Sequence, residues 1–396
     1  MSSDRPPLGR RRYAGVGIGP MQRLPWGHSL LIVGPTQAGK TTSLVVPAML
    51  SWRGPIVMTS VKDDVTQLTS PWRAMLGTVQ RLEPGSATGA TWDPLDGVRD
   101  RRHALRVAKS LTTSSGRGDT DFWNALATKF VGGLFWLAVQ NERSIFDVAA
   151  AIDDRTWERW VDLEGCLNPF RSYDHKTLDA VTTTAEAMVL PWQFPQPLLS
   201  VRTALAGNNT LILCSPRHEQ VSYEPLFRGA LRMVLEEQQA RVEAGTAHPL
   251  LLVLDEAANV ASLDELDQLA STVAGLKVTL LTVVQDFAQL QARWGQRAPT
   301  IVNNHATRVV VSGLADPSVS TYLPELTTPK KKDTVVIPLR QRPGSTALVV
   351  SGRSPVYTVT LRPWWRQRTL RRRAQPVRSV QWGRVIPRRT ARRPRD

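Results

Sequence analysis

The sequence predicts an α/β fold: a mostly parallel sheet flanked by helices and interrupted by an all-α inserted domain. Three observations carry this reading. Short apolar strands bounded by turns recur in the first and last thirds of the chain. The stretch from about Arg101 to Phe194 switches to helical spacing. A glycine-rich turn with the spacing of a phosphate loop stands between the first strand and the first helix. With 396 residues and 42% hydrophobic content the chain is long enough for more than one core, which excludes a disordered or fibrous protein.

Residues 1–25 are expected as a basic N-terminal arm, because the first twelve positions hold four arginines against Asp4. Residues 26–100 form the first part of the α/β core. Within it Ser29 to Val33 (SLLIV) is an apolar strand, and Lys40 to Leu50 reads as a helix in which Pro47 predicts a kink or an early stop. PIVMTSV (55–61) is a second buried strand, and Glu83 to Gly97 is rich in turn residues. Residues 101–200 are the helical insert: Leu105, Val107, Ala108 and Leu111, then Phe122, Leu126, Phe130, Leu134 and Leu137, each line one helix face, and shorter runs follow around Val148 and Val181. Phe122, Trp123, Phe130, Phe135 and Trp136 share this spacing and are expected in the core. Across residues 201–360 strands return as TLILCS (210–215), LLLVL (250–254), VTLLTVV (278–284), TRVVVS (307–312) and TALVVS (346–351), with TVVIPL (334–339) a candidate edge strand. Residues 361–396 are an arginine-rich tail.

Several function classes are excluded by composition. The two cysteines, Cys166 and Cys214, have no Cys or His partner at metal-finger spacing, and His103, His175 and His305 stand alone. No apolar run reaches the roughly 18 residues that span a bilayer, and the N-terminus lacks the apolar stretch of a signal peptide. The net charge of +16 is concentrated at the ends: thirteen arginines against Asp396 in the tail leave a near-neutral body. Interleaved with Trp364, Trp365 and Trp382, those arginines suit nucleic acid, neutralising phosphates while indoles stack on bases. The alternative is a docking tail whose tryptophans pack on the body.

The phosphate loop is Gly34, Pro35, Thr36, Gln37, Ala38, Gly39, Lys40 and Thr41, followed by Thr42. Its glycines let backbone N–H groups and the helix N-terminus face phosphates, Lys40 reaches the β- and γ-phosphates of ATP, and the Thr41 hydroxyl ligates Mg²⁺. Hydrolysis needs a carboxylate on a neighbouring strand, and LLLVL ends in Asp255 and Glu256. Asp255 would hold the Mg²⁺ shell and Glu256 would polarise the attacking water as general base. Gln285, ending VTLLTVV, is a candidate to bond that water; the other reading is a solvated residue opening a helix. Lys62 and Asp63 either face the same sheet edge or form a surface turn.

Four blocks, GPTQAGKTTSLVVPAML (34–50), IVMTSVKDDV (56–65), LLLVLDEAANVASLDELDQLASTVAG (250–275) and VVQDFAQLQARWGQRAPTIVNNHATRVVVSGLADPSVSTYL (283–323), resemble the type IV secretion coupling proteins. These are the TraD/TraG group of conjugative ATPases, here in the form seen in actinobacteria with a TraM-recognition-like second half. The resemblance implies a RecA-like P-loop NTPase core, a helical inserted domain and a homo-hexameric ring. It further implies ATP hydrolysis coupled to delivering DNA, single-stranded or relaxase-bound, or other secretion cargo to membrane-embedded channel components. Relatives begin with a membrane anchor, whereas about 25 residues precede the first strand here, so a cytoplasmic chain held at the inner face of the cell membrane by a partner is expected. Relatives also carry an arginine ahead of the glutamine strand, taken as a finger on the next subunit; this chain reads Val273-Ala274-Gly275-Leu276-Lys277, making Lys277 the first substitute and Arg308 the second. The competing functions are an FtsK/HerA-like intracellular DNA translocase and a nucleotide-switched cargo adaptor without turnover; intact Thr41, Asp255 and Glu256 argue against the adaptor.

Overall fold

A computed structural model describes residues 5–12, 18–60, 63–86, 89–112, 118–214, 220–259, 263–314, 316, 318–322, 346–352 and 355–374. Lys62, the TVVIPL segment at 334–339 and Trp382 lie outside the described residues. The strands are β1 (Pro7–Arg12), β2 (Ile18–Arg23), β3 (Ser29–Val33), β4 (Ile56–Ser60), β5 (Val79–Leu82), β6 (Thr91–Trp92), β7 (Leu198–Leu199), β8 (Thr210–Cys214), β9 (Leu250–Leu254), β10 (Val278–Val284), β11 (Thr307–Val311), β12 (Thr346–Ser351) and β13 (Tyr357–Thr360). All but β6 and β7 join one sheet in the order β2-β1-β13-β12-β11-β3-β10-β9-β4-β8-β5. From β5 across to β11 every neighbouring pair is parallel, and from β11 to β2 every pair is antiparallel.

Strands β3, β4, β8, β9 and β10 are buried along their whole length because helices cover both faces of the sheet. Side chains alternate between those faces. Leu31 and Val33 of β3 join the core shared with the helical insert, while Leu30 and Ile32 join a second core with Val46, Met49 and Leu50 of the helix after the phosphate loop.

The insert leaves the sheet through β6 and returns through β7, which pair in parallel as Thr91 with Leu198 and Trp92 with Leu199. Between them every regular element is helical, chiefly Arg101–Ser110, Gly118–Gln140, Ile145–Asp153 and His175–Val189. Asp100, Ser144 and Asp174 cap three of these by accepting a backbone N–H three residues on, which satisfies a donor that the first turn leaves free. The segment Thr120–Gln140 is long and apolar enough to cross a membrane by length and composition, a property that counting uninterrupted apolar runs misses. Here it packs as a core helix: Phe130, Leu134, Phe135 and Leu137 are inaccessible, and a Cβ at Gly132 would stand 3.0 Å from the backbone of Leu105 on the neighbouring helix. Phe122 departs from the expected core, being mostly exposed, and Trp123 and Trp136 are only half-buried.

Both chain ends differ from solvated arms where they are described. Pro7–Arg12 and Ile18–Arg23 form a hairpin that extends the sheet beyond β13, with Leu8 and Leu24 buried. The arginines of this segment hide a strand, since only Leu8 of its first half is apolar enough to signal one. After β13 a short turn, Trp364–Arg366, leads into the helix Arg368–Arg373, whose Leu370 is buried against the second core.

Candidate nucleotide site

The loop from Gly34 to Lys40 leaves the carboxyl end of β3, the strand flanked by β10 and β11. Gly34 is required by close approach: a Cβ there would stand 2.8 Å from the Val311 Cβ at the end of β11. Gln37 and Gly39 both have positive φ, 62° and 85°, the curl that turns successive N–H groups inward. Lys40 Nζ folds back onto its own loop, donating to the carbonyls of Gly34 and, at 2.9 Å, Pro35. An ammonium group thus sits where the loop is shaped for phosphate.

The helix that follows opens as a π turn, Thr41–Val45, before becoming α-helical over Val46–Ser51. Pro47 explains this. It has no N–H to bond the carbonyl four residues back, and its ring would crowd that carbonyl; the wider turn relieves both. The expected proline distortion therefore falls in the turn that carries Thr41 and Thr42.

On one flank, Asp255 and Glu256 follow β9, fixed to their neighbours by Thr59 Oγ1 donating to Asp255 O at 3.3 Å and Ala257 N–H donating to Val283 O at 3.1 Å. Asp255 is 6% exposed, and Glu256 has φ of 52°, a left-handed conformation that costs a non-glycine residue about 1–3 kcal/mol. Gln285 ends β10. A chain of hydrogen bonds links it to the acid: Asn259 Nδ2 donates to Glu256 Oε2 at 3.4 Å, Gln289 Nε2 to Asn259 Oδ1 at 3.3 Å, and Gln285 N–H to Gln289 Oε1 at 3.0 Å. Asn259 and Gln289 carry no motif in the sequence and enter only through this geometry.

Thr36 through Thr42, Asp64, Asp255, Glu256, Gln285 and Trp365 line one pocket of about 380 Å³, within the size range of small-ligand sites. Gly34 and Pro35 lie beneath it as acceptors for Lys40. Asp63 does not reach the pocket and pairs with Arg81 at 2.7 Å; its neighbour Asp64 takes the place. A larger cleft of about 680 Å³ between the insert and the core is lined by mixed charges such as the Arg232–Glu265 ion pair and has no phosphate loop. Among the described residues no three His, Cys, Asp or Glu side chains cluster as a metal site.

A phosphate loop on a central strand, with a glutamine after the neighbouring strand β10 and an acidic pair after β9, one strand further on, defines a RecA-like P-loop nucleotide-binding fold. Solved structures share this fold. The bacterial conjugative coupling protein TrwBdeltaN70 in an unbound monoclinic form has a TM-score of 0.68 at 17% identity, covering 90% of this chain and 89% of its own. The plasmid coupling protein TrwB in complex with ADP and Mg²⁺ also scores 0.68, at 16% identity over 91% of this chain and 94% of its own. Two family models match: type IV secretory system conjugative DNA transfer over residues 9–159, and the TraM recognition site of TraD and TraG over residues 249–336. The chain is a member of the type IV secretion coupling-protein family. Conjugal transfer protein TraG of Escherichia coli is 24% identical over 311 residues, 67% of this chain and 49% of its own length. Protein VirD4 of Rhizobium radiobacter is 23% identical over 328 residues, 75% of this chain and 47% of its own. The chain thus spans about half the length of the curated relatives it matches.

Proposed function

We propose that this chain is the ATP-hydrolysing motor of a conjugative or type IV secretion system, recruiting and pumping DNA or a relaxase–DNA complex toward the secretion channel. The observation that supports it best is the convergence of the phosphate loop, Asp255–Glu256 and Gln285 on a single pocket. Its ligand is ATP with Mg²⁺; Thr41 and Asp255 would hold the metal, which would supply positive charge against the phosphates. Lys40 exchanges the loop carbonyls of Gly34 and Pro35 for phosphate oxygens. Glu256 takes the proton of the attacking water, and Gln285 bonds and orients that water. The Glu256–Asn259–Gln289 bonds hold the base in register with the strand that carries Gln285. Partners in this reading are single-stranded or relaxase-bound DNA, channel components in the membrane and five further copies in a six-fold ring, with the chain on the cytoplasmic side.

Steady-state ATPase with and without single- and double-stranded DNA tests this. The expected result is turnover stimulated by DNA. Nucleotide binding without turnover under any of these conditions would leave an adaptor in place of a motor.

A further inference from the structure

Among the described residues, Trp365 is the one that the C-terminal segment contributes to the nucleotide pocket, and the sheet explains how it arrives. Strand β12 runs antiparallel to β11, and β13 antiparallel to β12, so β13 points the same way as β3. Its carboxyl end therefore emerges at the edge that carries the phosphate loop, on the flank away from β9 and β10. Trp365 follows a few residues later, is 45% exposed and lines the same pocket as the loop. A triphosphate with its γ end drawn toward Lys40, Asp255 and Gln285 extends its other end to this flank. The other end is the nucleoside.

The indole is held from behind. Trp364 packs edge-on against it, centroids 5.6 Å apart at 88°, and itself rests on the second core. Gln367 Nε2 donates to Arg362 O at 2.7 Å, closing the turn. The following helix is pinned to the helix after the loop by Leu370 and by Arg373, which donates to Leu50 O at 2.8 Å and lies over the Trp72 ring. Platform and phosphate loop are thus anchored to the same helix. Beside Trp365, Arg362, Arg366, Arg368 and Arg371 surround an open depression of about 430 Å³ that no carboxylate lines among the described residues. Such a field attracts a polyanionic ligand to the entrance.

We propose that Trp365 is the nucleobase platform of the site, stacking on the base of the bound nucleoside triphosphate in cis, with the arginines at its rim attracting the ligand. The inference rests on reading the loop as a nucleotide site and deepens it. Stacking on an indole uses the π face that every base has, so adenine and guanine nucleotides should both depend on it.

Calorimetric titration with ATP, GTP and inorganic tripolyphosphate, which has no base, separates the possibilities. Trp365→Ala is expected to weaken ATP and GTP by about 5- to 150-fold and leave tripolyphosphate unchanged, while Trp365→Phe keeps most of the affinity. Unchanged ATP affinity in Trp365→Ala overturns the proposal, as does an equal loss for tripolyphosphate, which would make the residue a prop for the loop. A loss confined to single-stranded DNA overturns it in favour of a DNA contact. Wild-type protein that binds neither ATP nor tripolyphosphate removes the nucleotide site itself, and the platform with it.

Discussion

Lys40 and Glu256 act on different ends of one reaction, and their variants should separate accordingly. Lys40→Ala removes the cation directed at the transferred phosphoryl group, so turnover is expected to vanish and ATP binding to weaken. Glu256→Gln keeps the shape of the site but loses the base; ATP is expected to bind as before while hydrolysis slows by about 10²-fold or more. Wild-type turnover by Glu256→Gln would remove the base assignment. His305 makes a different kind of prediction. In the neutral ring its Nδ1 donates to Ile301 O at 2.7 Å, which leaves Nε2 to accept from Thr282 Oγ1 at 2.9 Å, and burial holds its pKa at about 4. The unfolded chain takes up a proton near pH 6.5 while the folded chain resists it, so stability is full above 6.5 and falls by about 3 kcal/mol as pH approaches 4. Urea unfolding at pH 7 and pH 5 should show about 2 kcal/mol of this loss, and His305→Gln should flatten it. Lys40, Thr41, Asp255 and Glu256, which motif spacing marks, were legible in the sequence as candidates for one pocket. Asp64, Asn259, Gln289 and Trp365 were not, because each reaches the site by a turn or by the direction of a strand.

At the scale of elements, the phosphate loop depends on a strand far from it in the chain. Gly34→Ala would press a methyl group against Val311, so nucleotide affinity is expected to fall about tenfold, with Val311→Ala in the same chain restoring part of it. No recovery in the double variant would show that Gly34 serves backbone conformation alone. A second junction is tied by Arg73, fully buried, which donates to Trp52 O, Gly54 O, Asn208 O and Thr210 Oγ1 and so joins the helix Asp63–Ala74 to the segments entering β4 and β8. Desolvation lowers its pKa to about 10, and it remains charged at pH 7. Arg73→Met strands those oxygens and should cost at least about 3 kcal/mol in denaturant unfolding. The parallel strands were legible because burial on both faces demands continuous apolar runs such as LLLVL. β1 was not: PLGRRR spends three of six positions on arginine and takes its place through pairing with β13.

Of the net charge of +16, residues 375–396, which follow the helix Arg368–Arg373 in the sequence, carry +6. Removing residues 375–396 deletes seven arginines and Trp382 while sparing Trp365. DNA affinity should fall and the slope of log affinity against log salt should become shallower by about 0.9 for each duplex phosphate that is no longer neutralised; an unchanged slope would place DNA binding on the body. Between subunits the proposed ring needs a cation. Lys277 stands at the amino end of β10, the opposite end from Gln285, and across a strand of this length it can serve only another subunit's loop. Mixing Lys40→Ala with Lys277→Ala subunits is expected to recover part of the activity that each lacks, whereas no recovery there or with Arg308→Ala would leave a self-contained site.

The central place of β3 also sets a clock. Ser29 Oγ donates to Ala270 O, 241 positions later, and the two strands that flank β3 lie in that same late region. A ribosome adding about 5–20 residues per second needs roughly 12–50 s to make that stretch. Throughout it SLLIV is synthesised without its neighbours, an apolar segment with open edges while the helical insert, whose packing is local, can already fold. A fragment ending before β9 should therefore accumulate as aggregate even though its insert is intact, and slowing synthesis upstream of β10 should lower the soluble yield of the full chain.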